Sequence, residues 1–282
     1  LNYYRLTDQI DIDSYLDYQI AQIYFDNRDW PGNNIKYWRP RTPGGKWRWI
    51  LFDTDFGFGF FEDFASRDNT LEFALEPNGP GWPNPPWSTF IFRNLMTNKI
   101  FKEDFVNRFA DHLNTSFRSS RTIAIVDSMK AGIESEVERH HERWSHSTGW
   151  WENHVNRMRD FAKNRALFVR SHIQTTLELD GTYILSLKVN EPEAGDIRVN
   201  SIIRSRFPDQ TVYFRGIPIT LTAIPRPGYR FVGWSKPELS SKAELKYDSS
   251  DNLEIQANFE AIGETSPVII NEINYNSAAS FD

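Results

Sequence analysis

The spacing of apolar positions predicts that the first part of the chain is mainly helical. In residues 11–25 (DIDSYLDYQIAQIYF) apolar side chains recur at helical intervals, and Asp11 or Asp13 is available as the N-cap. The helical period returns from residue 89 to about residue 179, with breaks at residues 114–120 and 145–149. These breaks predict three or four helices, whereas the Pro/Gly-rich residues 60–88 favour a loop.

Strand patterns occur at two places. NIKYWRP and KWRWILF, joined by a Pro/Gly turn, predict a β-hairpin within the helical part. From about residue 181 to residue 262, apolar and polar residues alternate between turn signals. The fold class predicted is therefore α+β, with an α-rich domain at residues 1–179, a small all-β domain at 180–263 and a truncated module at 264–282.

Composition narrows the classes of partner. The net charge of -6 argues against nucleic acid, and no run of 18 apolar residues predicts a membrane span. The chain contains no cysteine, which excludes disulfides and thiolate chemistry. It starts at Leu1 without the pattern of a signal peptide, and we expect it to be a fragment of a longer protein.

Acidic and amide side chains frame the predicted hairpin. Asp29 and Asn34 are five residues apart in a turn-rich loop after a helix, and Asp53 follows the second strand, with Asp55 and Gly57 behind it. The large lobe of protein kinases has this order of parts: a base near the acceptor hydroxyl, an asparagine that holds magnesium, a hairpin, and a metal-binding aspartate before a glycine. Simple turn and capping chemistry is the competing interpretation.

The run FDNRDWPGNNIKYWR…GGKWRWILFDTDFGFG resembles the spore-coat CotH kinase family, over residues 1 to about 179. The resemblance implies a divergent kinase fold that uses ATP with Mg²⁺ or Mn²⁺. It implies that Asp29 is the catalytic aspartate and that Asn34 and Asp53 are metal ligands, with Asp55 as a further ligand or positioning group. Kinases also need a small lobe with a glycine-rich loop and a strand lysine. The residues before Asp26 read instead as helix, so we expect a large lobe alone, with little or no phosphotransfer.

The later modules carry resemblances of their own. VYFRGIPITLTAIPRPGYRFVGWS resembles an internalin-type B repeat, with a buried face predicted for Tyr213, Leu221, Tyr229, Phe231 and Trp234. IINEINYNSAA resembles the first strand of a lamin-tail domain. Both resemblances imply a secreted or cell-surface bacterial protein.

A non-enzymatic alternative stays open. Trp82 and Trp87 lie in a Pro/Gly-rich stretch, and with the β repeat they are compatible with a non-catalytic surface module that binds glycans or proteins. In the last long helix, Arg157, Arg159 and Arg165 are predicted to be surface charges, with one or two in buried ion pairs.

Overall fold

The computed structural model describes residues 3–77, 81–145, 147–236, 242–248 and 250–263, and its fold class is α+β, as predicted. The first part is mainly helical. Its helices are α1 (Tyr3–Thr7), α2 (Ile12–Phe25), α3 (Thr70–Leu75), α4 (Phe90–Met96), α5 (Lys99–Asn114), α6 (Ser119–Trp144) and α7 (Thr148–Thr176). None of the helices in the described residues is long and apolar enough to span a membrane.

Helix α2 is the buried centre of the helical part. Asp11 caps it, because its side chain accepts a hydrogen bond of 3.1 Å from the Ser14 amide. The helix ends at Asp26, a left-handed C-cap with φ 53° whose amide bonds back to the carbonyls of Gln22 and Ile23. Most residues of α2 are buried, and the helix packs on α5 and α7. The chain therefore leaves the core at a fixed point, directly before the Asp29 loop.

The predicted hairpin is present. Strands β1 (Lys36–Trp38) and β2 (Arg48–Ile50) pair antiparallel, with Tyr37 opposite Trp49. Arg48 Nε lies 2.8 Å from Asp11 Oδ2, and the rings of Trp49 and Tyr15 lie 4.6 Å apart. These contacts hold the hairpin against the N-terminal end of α2.

Helices α6 and α7 form a long antiparallel pair after α5, and the predicted breaks on either side of α6 are confirmed. Two cross-links join the pair. Lys130 Nζ lies 3.0 Å from a Glu152 carboxylate oxygen, and Arg159 Nε lies 2.6 Å from Asp127 Oδ1. The far end of α7 returns to the core beside α2 and α3.

Residues 60–88 differ from the predicted loop. They contain a 3₁₀ turn at Ala65–Arg67 and the short helix α3. Asn69 caps α3, since its side chain accepts a hydrogen bond from the Glu72 amide at 3.2 Å. A helix of this length is too short to give a periodic pattern, so packing against α7 rather than sequence periodicity stabilises it.

The second part of the chain is a pair of sheets. In the described residues one sheet has the order β6-β3-β10-β8 and the other has the order β5-β4-β7-β9. The strands are β3 (Thr182–Val189), β4 (Gly195–Val199), β5 (Ile202–Arg204), β6 (Asp209–Phe214), β7 (Ile219–Pro225), β8 (Tyr229–Trp234), β9 (Glu244–Tyr247) and β10 (Leu253–Ala261). β10 pairs parallel with β3, and the other pairs are antiparallel.

The predicted buried face of this part is largely confirmed. Tyr213, Leu221 and Trp234 are buried, whereas Tyr229 and Phe231 are partly buried against the same core. The short strands β5 and β9 were not predicted. The lamin-tail resemblance falls on residues 264–282, which lie outside the described residues.

Helix α5 joins the two parts through the carboxylate of Asp111, which is 1% exposed. It accepts hydrogen bonds from the Tyr213 hydroxyl at 2.7 Å and from the Ser201 hydroxyl at 2.8 Å. The Asn114 side-chain amide donates a hydrogen bond to the Val212 carbonyl at 3.0 Å and accepts one from the Val212 amide at 3.1 Å. Buried charge-assisted hydrogen bonds of this kind are the strong ones, so the sheet of β6 and helix α5 form one interface.

Replacing Asp111 with alanine tests the importance of this interface. The change leaves the Tyr213 and Ser201 hydroxyls without their buried acceptor, and we expect the free energy of unfolding to fall by about 2–4 kcal/mol. Urea unfolding followed by tryptophan fluorescence measures it. Asp160→Ala on the exposed face of α7 is the matched control. Equal urea midpoints for the two variants would contradict a stabilising role of Asp111.

Candidate functional site

The loop after α2 fixes the Asp29 carboxylate with side-chain amides. Asp29 Oδ2 accepts hydrogen bonds from Asn33 Nδ2 at 2.8 Å and from Asn34 Nδ2 at 2.7 Å. The Asp29 amide donates to Asn27 Oδ1 at 3.1 Å, and Asn27 is buried and bonded to Gln22. The five-residue interval read from the sequence therefore brings Asp29 and Asn34 into direct contact, in a loop anchored on the helix.

Gly32 lets a second loop approach the Asp29 loop closely. A Cβ at Gly32 would lie 2.3 Å from the carbonyl oxygen of Pro83 and 2.8 Å from Cδ of Pro85. No side chain fits at that separation, so glycine is required here by the contact. The neighbouring Trp82 and Trp87 are exposed, by 70% and 63%. The tryptophan loop (residues 81–89) thus packs directly behind the Asp29 loop.

The segment after β2 (residues 53–60) carries Asp53 and Asp55, and we name it the acidic segment. Two backbone hydrogen bonds tie it to the Asp29 loop and the end of α2: the Arg28 amide to the Phe56 carbonyl at 3.1 Å, and the Phe58 amide to the Phe25 carbonyl at 2.9 Å. A Cβ at Gly57 would lie 2.9 Å from the same Phe25 carbonyl oxygen. The close backbone approach therefore depends on Gly57.

Asp53 and Asp55 both lie at the rim of a cavity of about 920 Å³. We name it the loop–helix cavity, because residues 53–60 bound it on one side and α6 and α7 on the other. Both carboxylates are exposed, and neither makes a hydrogen bond or ion pair within the described ranges. Asp29 and Asn34 are not among the residues that line the cavity. Convergence of Asn34 and Asp53 on one ion therefore stays a prediction.

The donor chemistry of these residues fits a hard cation. Asn34 uses its Nδ2 group to bind Asp29, which leaves its amide oxygen for another partner. Carboxylate and amide oxygens suit magnesium, which also retains several waters. Across the residues that the structure describes, no three His, Cys, Asp or Glu side chains are grouped to hold a metal ion. A site here would consequently need the Asn34 oxygen together with waters.

The order of these parts, from anchored aspartate to acidic loop, agrees with the family comparison. The CotH kinase protein family matches residues 2–169, which is more than half of the chain. The chain belongs to the CotH kinase family. A divergent InlB B-repeat domain matches residues 187–263. No curated protein and no solved structure matched the chain.

Arg165 in this CotH domain is fully buried, as the prediction allowed for one or two of the three arginines of α7. Its partners differ from the predicted ion pair, because they are mainly backbone carbonyls. Its guanidinium donates to the carbonyls of Tyr24 at 2.9 Å and Ile23 at 2.6 Å at the end of α2. It also reaches the carbonyls of Ser66 at 3.1 Å and Asp68 at 2.7 Å. One side chain thereby joins α7 to the end of α2, which leads into the Asp29 loop, and to residues 66–68.

A signal for this burial exists in the sequence of α7. Phe161 and Val169 lie four residues before and after Arg165, and both are buried. The apolar stripe of an α-helix therefore passes through position 165. Burial lowers the Arg165 pKa to about 10, so the group remains charged at neutral pH. Because its partners are mainly carbonyls, its position follows from the backbone and not from a complementary acidic residue.

Arg28 extends the same network towards the surface. Its Nε lies 3.0 Å from Asp26 Oδ2, and its guanidinium also pairs with Glu62 and Asp68. Asp26 in turn accepts a 2.6 Å hydrogen bond from the Thr70 hydroxyl, which also contacts Arg165. Burial raises the pKa of the Asp68 carboxyl. The residue before Asp29 is thus held by three acidic side chains and does not point freely into solvent.

Arg165→Met removes the buried donor and leaves the carbonyls that it binds unpaired. We expect a loss of about 3–5 kcal/mol in the free energy of unfolding, with Arg165→Lys intermediate because an ammonium cannot reach all of the acceptors. Thermal and urea unfolding measure this loss. Arg159→Lys, on the same helix but paired at the surface with Asp127, is the control. Similar losses for Arg165→Lys and Arg159→Lys would contradict the anchoring role.

His172 makes the stability of this region depend on pH. Burial, with the nearby Arg165 charge, lowers its pKa from 6.5 to about 4. As the pH falls, His172 takes up a proton near pH 6.5 in the unfolded chain but only near pH 4 in the folded protein. The free energy of unfolding therefore falls as pH drops from about 6.5 to about 4. We expect His172→Gln to reduce that fall, measured by urea midpoints at pH 7 and pH 5. His140→Gln, on the exposed side of α6, serves as control, and an unchanged slope in His172→Gln would refute the assignment.

Proposed function

We propose that this chain is the large lobe of an atypical protein kinase of the CotH type, which transfers phosphate from ATP to protein hydroxyls with Mg²⁺ or Mn²⁺. The observation that carries the proposal is the Asp29 carboxylate, held by two amide donors in a loop that is bonded to the acidic segment after β2. Family membership supports ATP as the phosphate donor.

Asp29 acts as the base of the reaction. Both amide hydrogen bonds reach its Oδ2 atom, and no bond to Oδ1 is present among the described residues. In the transfer, the acceptor oxygen attacks the γ-phosphorus, the bond between that phosphorus and the bridging oxygen breaks, and ADP leaves. Asp29 Oδ1 takes the proton of the hydroxyl. The amides of Asn33 and Asn34 hold the carboxylate in one orientation, which is the usual requirement for such a base.

Asn34, Asp53 and Asp55 are the metal-binding residues in this proposal. A magnesium ion bound there would neutralise charge on the ATP phosphates. The exposed, unpaired state of the two carboxylates supports the role, because no ion pair must break before a cation binds. The backbone bonds between the two loops limit how far Asp53 can move from the Asp29 loop.

The proposal extends to location and domain limits. We assign residues 1–179 to the kinase-like lobe, 180–263 to the β-repeat domain and 264–282 to the start of a lamin-tail-like domain. CotH and B-repeat domains are typical of bacterial spore-coat or surface proteins, which supports a secreted or surface location.

One observation favours a second candidate function, a surface module that binds glycans or proteins without catalysis. Trp82 and Trp87 are exposed on a loop that is held rigidly: buried Asn84 donates to the Phe73 carbonyl at 2.6 Å, and Arg93 donates to the Pro86 carbonyl at 2.5 Å. Exposed indoles on a fixed loop lose little entropy when they stack on a ligand.

Calorimetric titration of Mg²⁺–ATP into the chain and into its full-length gene product tests the first function. We expect the full-length protein to bind, and Asp53→Ala and Asn34→Ala to abolish or greatly weaken binding, because each removes a metal ligand. Asp160→Asn, an exposed acid on α7, should bind as the wild type does. A folded full-length protein that binds no Mg²⁺–ATP would favour the non-catalytic module.

The role of Asp29 is tested separately by Asp29→Asn. This variant keeps the size of the side chain but cannot accept the hydroxyl proton. In the full-length protein carrying this change, we expect Mg²⁺–ATP binding to be retained while transfer to a generic protein acceptor falls by about 10²–10⁴-fold. Transfer at the wild-type rate in Asp29→Asn would eliminate it as the base.

A further inference from the structure

The loop–helix cavity has an apolar lining that phosphotransfer does not use. Phe58 from the acidic segment, Phe117 before α6, Val126 and Met129 on α6, and Met158 on α7 face it. Its volume of about 920 Å³ lies within the range of small-molecule sites, which are mostly lined by apolar side chains with a few polar groups. Methionine side chains adapt to the shape of a ligand, which suits Met129 and Met158 to such a site.

The apolar lining is open to solvent on the α6 side. Ile125 is 40% exposed and Met129 is 67% exposed, although both line the cavity. A core position would bury them, and an ordinary surface position would not place them in the lining of a cavity with Phe58 and Phe117. The feature is therefore a partly open cavity with an accessible apolar wall.

The charged residues that line the cavity determine which head group a ligand can carry. Asp53 and Asp55 carry two carboxylates that form no ion pair with any described side chain. Arg157 also lines the cavity, but its guanidinium is engaged by Asp63 at 2.7 Å and by the Phe60 carbonyl at 3.0 Å. The unpaired charge at the cavity is consequently negative, which favours a cationic group and disfavours an anionic one.

We propose that the loop–helix cavity binds a small amphipathic molecule with an apolar body and a cationic head. The apolar body lies against Val126, Met129 and Met158, and an ammonium group lies at Asp53 and Asp55. This inference goes beyond phosphotransfer and does not require ATP binding. It also couples the cavity to the metal proposal, since a cationic head and Mg²⁺ compete for the same two carboxylates.

The probes are decyltrimethylammonium and decanoate, which have similar apolar chains and opposite charges, each titrated calorimetrically below its micelle concentration. We expect the cation to bind at least about tenfold more tightly than the anion, equivalent to about 1.4 kcal/mol. In Asp53→Asn/Asp55→Asn the two affinities should become similar. If Mg²⁺ occupies the two aspartates, adding it to the wild type should weaken the binding of decyltrimethylammonium and leave the binding of decanoate unchanged. Failure of this competition alone would count against the metal proposal and not against the cavity.

Matched variants on one helix separate the cavity from non-specific apolar surface. Met129→Gln changes a cavity residue, whereas Ile133→Gln changes a neighbouring exposed residue of α6 that does not line the cavity. We expect about tenfold weaker binding of the cation in Met129→Gln and no change in Ile133→Gln. Equal effects of the two variants, or equal affinity of the wild type for the two probes, would overturn the proposal. Ile125→Gln repeats the test, and circular dichroism checks that each variant is folded.

Discussion

The buried guanidinium of Arg165 is the constraint on which the site region depends. A charge in the core is stable only if its donors are satisfied, and here backbone carbonyls at the end of α2 and in residues 65–70 satisfy them. The first of these segments leads directly into the Asp29 loop, and the second carries Asp68, which pairs with Arg28 beside it. The need to satisfy the donors of the Arg165 guanidinium thus fixes the separation between these two segments. Arg165 belongs to α7, which is remote from both of them in the sequence.

Rigidity near the site comes from backbone contacts as much as from side chains. Gly32 and Gly57 each sit where a Cβ would overlap a carbonyl oxygen, so both loops approach their neighbours more closely than other residues allow. The Asp29 loop is thereby confined between the tryptophan loop and the acidic segment. Its acidic and amide side chains extend from a backbone held by these contacts, while Asp53 and Asp55 are exposed.

Local patterns predicted the elements with strong periodicity or clear turn signals. The helix before the Asp29 loop, the hairpin, the breaks around α6 and the alternating strands were all readable from the sequence. Helix α3 and strands β5 and β9 were not, because such short elements gain their stability from packing partners far along the chain. For the site, the sequence singled out Asp29 and Asn34 by their five-residue interval, and the hydrogen bond between them is a finding of the structure. The carbonyl partners of Arg165 and the loop–helix cavity arise from tertiary contacts that no local pattern records.

The position of β10 has a consequence for the order of events during synthesis. This last described strand lies between β3 and β8, so the first sheet has a gap at its centre until residues 253–261 have left the ribosome. Until then, β3 and β8 each present an unpaired edge, and such edges promote association with other chains. Long-range strand pairing is also slow. The helical part can therefore fold well before the β part, and the interval between the two events is when the nascent protein is most exposed to aggregation.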